Sequence, residues 1–201
     1  MTLTLAKHYA EKLVEWLSPH CEKIEIAGSI RRSLPQCGDV DLVVIPKRQQ
    51  DTDLLGVEVD QSNLLFDFLQ EYVRDRNPLN SPGRKPHFIS GGERPGKQLL
   101  IDLPKCQLDL WFATPKNWAT ILLCRTGSRD HNRWLCERAQ DRGLKWSPYE
   151  GIFDLGPHCL GTPKLIEHST EEEIYNALGL AMIPPHHREL PWLIKNIDSG
   201  L

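Results

Sequence analysis

Two aspartates stand at the head of an apolar run that is otherwise typical of a buried strand. Asp39 and Asp41 open the stretch "DVDLVVI", and the side chains that follow are those that sheets prefer. Residues i and i+2 of a strand project to the same side, about 6–7 Å apart. Two unit charges at that distance repel by about 2.5 kcal/mol at an effective dielectric constant near 20. The strand therefore requires a positive charge beside it.

A third aspartate has a similar setting, and a turn rich in potential hydrogen-bond donors precedes the pair. Asp109 lies between two leucines in "QLDLWFA". Three carboxylates suit Mg²⁺, which completes its coordination with water and substrate phosphates. Gly28 and Ser29 lie upstream of the pair, and such a turn can bring N–H groups and a hydroxyl to a phosphate. The pattern favours a nucleotidyl-transfer site; compensation by Arg31 or Arg32, or a strand end exposed to water, are the alternatives.

Helical and strand periodicities are mixed along the chain, which predicts an α+β fold. Apolar spacing predicts a helix over residues 3–17, ended by Pro19. The stretches that predict strands are "EKIEIAGS", "DVDLVVI", "HFIS", "KQLLIDL" and "QLDLWFA"; those that predict helices are "NLLFDFLQEYV", "NWATILLC" and the segment capped by Ser128 and ended by Gly143. The character of the sequence changes near Pro115, where we place a domain boundary.

The composition places few limits on function. The 201 residues are 40% hydrophobic and 25% charged, with a formal net charge of −3, so contacts with nucleic acid must come from local basic patches. No stretch reaches the ~18 uncharged apolar residues of a membrane span, and charges interrupt the start "MTLTLAKHYAEKL", where a secretory signal needs an apolar run. We expect a cytoplasmic protein with no membrane partner.

The motifs together resemble the X family of DNA polymerases. In chain order they are "GSIRR", "GDVDLVV", "QLDLWFA", "TGSRDHNRWLCERAQDRGLK", "YEGIF" and "EEEIYNALGLAMIPPHHREL". The resemblance covers nearly the whole chain and is least specific over residues 46–86. It implies a nucleotidyltransferase-type palm over residues 1–115, with a mixed or antiparallel sheet and helices on one side. It implies a small α+β thumb, which binds the nascent base pair and DNA, over residues 116–201.

The resemblance assigns roles to individual residues. Asp39 and Asp41 match the pair that binds both catalytic Mg²⁺ ions, for which Mn²⁺ can substitute, and Asp109 matches the third carboxylate ligand. The positions that match triphosphate-binding groups are Gly28, Ser29, Arg32 and Gly38. The positions that match groups around the incoming sugar and base are Gly127 and Asn132. Arg133 matches the residue that stacks on the templating base, and Arg129, one helical turn earlier, is a second expected contact to DNA.

Two departures from the family pattern bear on activity. An aromatic pair is common just before the Thr-Gly of the family, whereas this chain has Cys124 and Arg125. This alters the expected sugar pocket and leaves open the choice between deoxynucleotides and ribonucleotides. In addition, the single opening helix leaves no room for the family's N-terminal lyase domain, so we expect no lyase activity.

The resulting hypothesis is a DNA-directed DNA polymerase that extends a primer 3′-hydroxyl in gap filling or short repair-like synthesis. It implies two-metal phosphoryl transfer with release of pyrophosphate, a nucleoside triphosphate and primed or gapped DNA as substrates, and a monomer that a further protein recruits to DNA. A template-independent nucleotidyltransferase of the same fold is the main alternative. A catalytically silent DNA-binding or scaffolding protein is the third.

Overall fold

Ten strands and six α-helices are found in the parts of the chain that the structure describes. The structure is a computed structural model and describes residues 1–52, 58–75, 86–92, 98–103, 105–156 and 162–189. The helices are α1 Leu3–Leu17, α2 Gly28–Arg31, α3 Leu64–Asp75, α4 Trp118–Thr126, α5 Arg129–Asp141 and α6 Glu171–Ala177. The strands are β1 Cys21–Ile26, β2 Val40–Pro46, β3 Arg48–Thr52, β4 Glu58–Asn63, β5 His87–Gly91, β6 Gln98–Asp102, β7 Gln107–Phe112, β8 Leu144–Ser147, β9 Gly151–Asp154 and β10 Lys164–Ile166.

The larger sheet is mixed and has five strands in the order β1-β2-β7-β6-β5. Strands β2 and β7 are parallel, whereas β1 with β2, β6 with β7 and β5 with β6 are antiparallel. A three-stranded antiparallel sheet, β10-β9-β8, follows in the C-terminal part, and β3 and β4 form a separate ribbon. The observed mixture of helices and sheets confirms the α+β prediction at this coarse level.

Both faces of the central strands are covered. The even-numbered residues of β2 and β7, such as Leu42 and Leu110, pack with buried side chains of α1 and α3 in one hydrophobic core. On the opposite face, Val43 and Ile45 pack against Trp118 and other residues of α4. Since side chains alternate along a strand, the carboxylates of Asp41 and Asp109 belong to the face that α4 covers.

Helix α4 belongs to two cores at once. Its residues Trp118 and Ile121 pack against the five-stranded sheet, whereas Ala119 and Leu123 pack with α5, α6 and the three-stranded sheet. The predicted boundary at residues 115 and 116 thus lies just ahead of a helix that joins the two parts of the chain. The division into two domains stays a prediction.

Local signals explain most element ends. The Ser128 hydroxyl accepts a hydrogen bond from the His131 amide at the start of α5, as expected of an N-cap. Gly143 follows α5 with a φ of +68°, the left-handed conformation that glycine adopts readily after a helix. The stretch "NPLNSPGRKP", whose composition predicts a loop, lies outside the described residues apart from Pro86, and so does Trp192. No helix in the described parts of the chain is long and apolar enough to cross a membrane.

Candidate functional site

Sheet pairing brings two of the three predicted carboxylates side by side. Asp41 on β2 lies directly opposite Asp109 on β7 in the parallel register. The sequence pattern predicted that Asp39 lies on the strand. In the structure it precedes β2 by one residue and lies in the bend that leads into the strand. The apolar neighbours of Asp41 and Asp109 are anchored in the core below, which fixes both carboxylates on the α4 side of the sheet.

The three carboxylates share one electrostatic environment. The pKa of Asp41 is raised from 3.8 to about 7, chiefly because burial disfavours the charged form and further because the charges of Asp39 and Asp109 repel it. Two groups act in the opposite direction: a hydrogen bond from Trp111 Nε1 to Asp41 Oδ1, 3.3 Å long, and the positive charge of Arg32. A cation placed among these carboxylates would relieve their repulsion.

The donor set fits a hard divalent cation. All three groups offer carboxylate oxygens, which Mg²⁺ and Mn²⁺ prefer, and their mutual repulsion is the signature of uncompensated negative charge. In the described parts of the chain, no three His, Cys, Asp or Glu side chains are already grouped as ligands of one ion. Instead, Asp41 accepts from Trp111 and Asp109 Oδ1 accepts from Gln107 Nε2 at 3.2 Å.

The predicted Gly-Ser turn lies against the carboxylates. Gly28 has a φ of +56°, and a Cβ atom there would be 1.9 Å from Asp41 Oδ2, so only glycine fits in this conformation and this space. The next residue, Ser29, has a buried hydroxyl with no hydrogen-bond partner among the described residues. A buried polar group without a partner is costly, and a phosphate oxygen at this position would satisfy it.

Arg32 points from the turn toward the C-terminal part of the chain. Its Nε donates to Glu189 Oε1 at 2.5 Å, and its Nη1 donates to the backbone carbonyl of Thr126. Gly127, with a φ of +70°, lies so close that a Cβ atom would be 3.1 Å from Arg32 Nη1. The structure thus brings Arg32 and Gly127 together beside the carboxylates, but it shows the guanidinium paired with Glu189.

The other predicted site residues are less closely grouped. Asn132 Nδ2 donates to the Cys124 carbonyl at 2.7 Å, and its buried Oδ1 has no partner among the described residues. Arg129 is exposed at the start of α5, and exposed Arg133 forms an ion pair with Glu137 at 3.3 Å. Gly38 faces open space. These roles in binding nucleotide and DNA remain predictions.

Two side chains near the carboxylates make contacts that were not predicted from the sequence. Trp111 Nε1 donates a hydrogen bond to Asp41 Oδ1. The Arg125 guanidinium lies 3.6 Å from the centroid of the Trp111 ring and 5.2 Å from that of Tyr149, and its Nε is buried without a partner among the described residues. Trp111 follows Asp109 by two residues and therefore lies on the same face of the strand. This spacing could have identified it as a neighbour of the carboxylates.

A buried ion network links the start of the site to the C-terminal part. Arg31 donates to both carboxylate oxygens of Glu171, at 2.8 and 2.7 Å, and Arg188 Nη1 donates to Glu171 Oε1 at 3.0 Å. Arg188 is fully buried. Burial alone would raise the pKa of Glu171, but the two arginines hold it below its usual value. Sequence patterns gave no sign of this network because its members lie far apart along the chain.

Comparison with known proteins agrees with the predicted resemblance. Residues 121–189 match the family model described as DNA polymerase beta thumb. The chain is also 26% identical, over 187 residues, to the DNA polymerase/3′-5′ exonuclease PolX of Bacillus subtilis (strain 168). The alignment covers 93% of this chain and 27% of that protein, so the chain spans about a quarter of its curated relative. These similarities support a protein that resembles the X family of DNA polymerases.

Proposed function

We propose that this chain is a nucleotidyltransferase that adds nucleotides to the 3′-hydroxyl of a DNA primer. The observation that carries the proposal is the direct juxtaposition of Asp41 and Asp109 on parallel strands, with Asp39 close enough to raise the pKa of Asp41. A carboxylate with a raised pKa that converges with other carboxylates beside an unsatisfied hydroxyl is typical of a catalytic site. The similarity to PolX and to the thumb of polymerase beta supports DNA and nucleotide substrates.

In this proposal the three aspartates hold divalent cations at the α4 side of the sheet. Bound Mg²⁺ or Mn²⁺ supplies charge neutralisation of a triphosphate and lowers the pKa of a primer hydroxyl. The Ser29 hydroxyl donates to a phosphate oxygen, which gives it the partner that it lacks among the described residues. Gly28 allows the backbone to approach Asp41 without a side chain between them. A carboxylate oxygen of Asp109 accepts the proton of the attacking hydroxyl.

Arg32 has to exchange partners in order to bind a triphosphate. Its Nε hydrogen bond to Glu189 uses the donor nearest the C-terminal part of the chain, and phosphate oxygens would compete with that carboxylate for the guanidinium. Glu189 has a side chain that is 36% exposed, so it can be solvated by water when it is released. We propose that nucleotide binding and the Arg32–Glu189 pair exclude each other.

A primer-extension assay tests the proposal. The protein is incubated with a gapped duplex, Mg²⁺ or Mn²⁺, and each dNTP and rNTP separately. The wild type is expected to add the nucleotide that the template base directs. Asp41→Ala is expected to abolish addition because it removes one of the two facing carboxylates. Asp67→Asn, which changes an exposed aspartate of α3 on the other side of the sheet, is the control. Extension by Asp41→Ala at the wild-type rate would refute the assignment.

The surroundings of Cys124 and Arg125 favour a second candidate, a transferase that works without a template. The Asn132 amide is engaged by the Cys124 carbonyl, and the Arg125 side chain fills the space against the Trp111 ring. Both contacts occupy space and donors that a pocket for the nascent base pair would need to leave open. Addition of any nucleotide regardless of the template base, in the same assay, would support this candidate; absence of addition with either metal would support the silent DNA-binding alternative.

A further inference from the structure

A cavity of about 390 Å³ lies on the side of the five-stranded sheet away from the carboxylates. Its floor includes Leu13 of α1 and Leu103, both members of the core that contains Leu108 and Leu110. Leu108 and Leu110 alternate with Asp109 along β7. The cavity and the carboxylates therefore face opposite sides of the sheet. Its volume falls within the range of small-ligand pockets. A ligand in this cavity cannot be the nucleotide that reacts at the carboxylates.

Aromatic rings form the walls of the cavity. Tyr9 and Trp16 lie on α1 and Tyr72 on α3. The Trp16 ring packs edge-on against both Tyr72, with centroids 4.7 Å apart, and Phe68, with centroids 5.2 Å apart. These contacts fix the orientation of the Trp16 ring before any ligand arrives. The walls therefore offer preformed surfaces for a planar ring system.

Positive charge is concentrated at the rim. Lys12 lies on the same stripe of α1 as Tyr9, Leu13 and Trp16, and Lys105 approaches from the segment between β6 and β7. Both lysines are exposed and neither forms an ion pair with a described residue. None of the described residues that line the cavity is an aspartate or glutamate. Two lysines beside a cavity whose described lining contains no carboxylate attract an anion.

We propose that this cavity is a second nucleotide-binding site, which takes one nucleoside 5′-monophosphate, either free or at the end of a strand. The base would lie among the rings of Tyr9, Trp16 and Tyr72, and the phosphate would pair with Lys12 and Lys105. The combination of apolar rings with a cationic rim matches a planar base that carries a phosphate. A lipid tail would use the rings but not the lysines, and a simple anion would use the lysines but not the rings.

Calorimetric titration with deoxyadenosine monophosphate, in EDTA and at low salt, tests the proposal. EDTA removes the divalent cations on which binding at the carboxylates is expected to depend. The wild type should bind one equivalent, and the double variant Lys12→Glu/Lys105→Glu should bind at least about tenfold more weakly because the rim becomes acidic. Both positions are exposed, so the double variant should fold; circular dichroism verifies this.

Two controls separate the cavity from general charge effects and from the carboxylates. Lys7→Glu makes the same charge change on α1 at an exposed position about 140° around the helix from Lys12, and it should leave the affinity unchanged. Asp41→Asn should also leave it unchanged. Because no step involves the carboxylates, the site can exist even if nucleotide addition fails, and loss of binding in Asp41→Asn would overturn the proposal.

Comparison of probes identifies the ligand. Deoxyribose 5-phosphate should bind much more weakly than the mononucleotide, since it lacks the base; equal affinity would reduce the site to an anion site and overturn the proposal. If a 5′-phosphorylated oligonucleotide binds more tightly than both its unphosphorylated form and the mononucleotide, the ligand is the end of a strand. If the mononucleotide binds more tightly than either oligonucleotide, the ligand is a free nucleotide. Absence of saturable binding at millimolar mononucleotide, or binding of an acidic aromatic peptide instead, would also overturn it.

Discussion

The buried carboxylate of Asp41 makes the stability of the folded protein depend on pH. Its pKa is raised from 3.8 to about 7 in the folded protein, first by burial and then by Asp39 and Asp109. The folded state therefore binds this proton more tightly than the unfolded state does. The stabilisation from the proton is complete below the ordinary carboxyl pKa and is lost as the pH rises through about 7.

Replacement of Asp41 by asparagine should stabilise the metal-free protein at alkaline pH. In EDTA at pH 8, we expect the Tm of Asp41→Asn to exceed that of the wild type by about 5 °C, because the uncharged amide avoids both desolvation and repulsion. The difference should shrink as the pH falls below 7 and vanish below the ordinary carboxyl pKa of 3.8, at about pH 3, where Asp41 is protonated in both the folded and the unfolded protein. Differential scanning calorimetry measures both values. Asp67→Asn should raise the Tm at neither pH, and a pH-independent gain in Asp41→Asn would contradict the electrostatic cause.

Trp111 should tune the pH range in which Asp41 is ionised. Its indole N–H donates to the carboxylate, which lowers the pKa of Asp41. Trp111→Phe keeps a ring under Arg125 but removes the donor, so the pKa of Asp41 should rise further. We expect the acidic limb of nucleotide addition against pH to move upward by up to about one unit. Trp118→Phe, at the first residue of α4 and buried against the sheet, is the control. An unchanged acidic limb in Trp111→Phe would show that the hydrogen bond has no effect.

At the scale of elements, the predictions were correct for helices and strands whose periodicity and capping residues lie within a short stretch of sequence. The helix over residues 3–17, the strand "DVDLVVI" and the Ser128 cap all follow from neighbouring side chains, and the structure has each of them. The ribbon of β3 and β4 was not predicted, since "RQQDT" and "EVDQSN" are polar and do not alternate. The partners of Arg31 and Arg32 could not be predicted, because they come from contacts between segments that lie far apart along the chain.

The network around Glu171 should hold the C-terminal part to the five-stranded sheet. Its side chain is 6% exposed between Arg31 and fully buried Arg188, so its removal leaves buried positive charge without compensation. Glu171→Gln is expected to lower the free energy of unfolding by about 3 kcal/mol, the lower end of the range for breaking a buried pair. Urea unfolding at pH 7 measures the loss. Exposed neighbour Glu172→Gln should change stability by less than about 0.5 kcal/mol.

The same network predicts a dependence of stability on acid. The pKa of Glu171 lies below its usual 4.5 in the folded protein, so its contribution is present above that value and is lost as the pH falls through the lowered pKa. The stability advantage of the wild type over Glu171→Gln should therefore disappear at acid pH. An advantage that is constant down to pH 2 would indicate a packing defect in the variant instead.

At the scale of the whole molecule, the site depends on both parts of the chain. The carboxylates and the Gly-Ser turn come from residues before the predicted boundary, while Thr126, Gly127 and Glu189 surround Arg32 from beyond it. Helix α4 contributes to the cores on both sides. Sequence motifs grouped Asp41, Asp109 and Gly28, which the structure places against one another. They could not predict that Arg32 would pair with a carboxylate from the far end.

Affinity for DNA in a chain with a net charge of −3 must come from a few exposed arginines. We expect binding to primed DNA to weaken steeply with salt, as phosphate contacts release counterions. Arg129→Ala should reduce the slope of log affinity against log salt by about 1. Arg133→Ala should reduce it less, because Glu137 already lies 3.3 Å from Arg133.

Arg74→Ala is the control, since this exposed arginine is paired with Glu71 and Asp75 on α3. Fluorescence anisotropy between 50 and 200 mM salt, about the range over which such contacts are lost, measures each slope. A flat wild-type dependence would contradict binding through arginine–phosphate contacts.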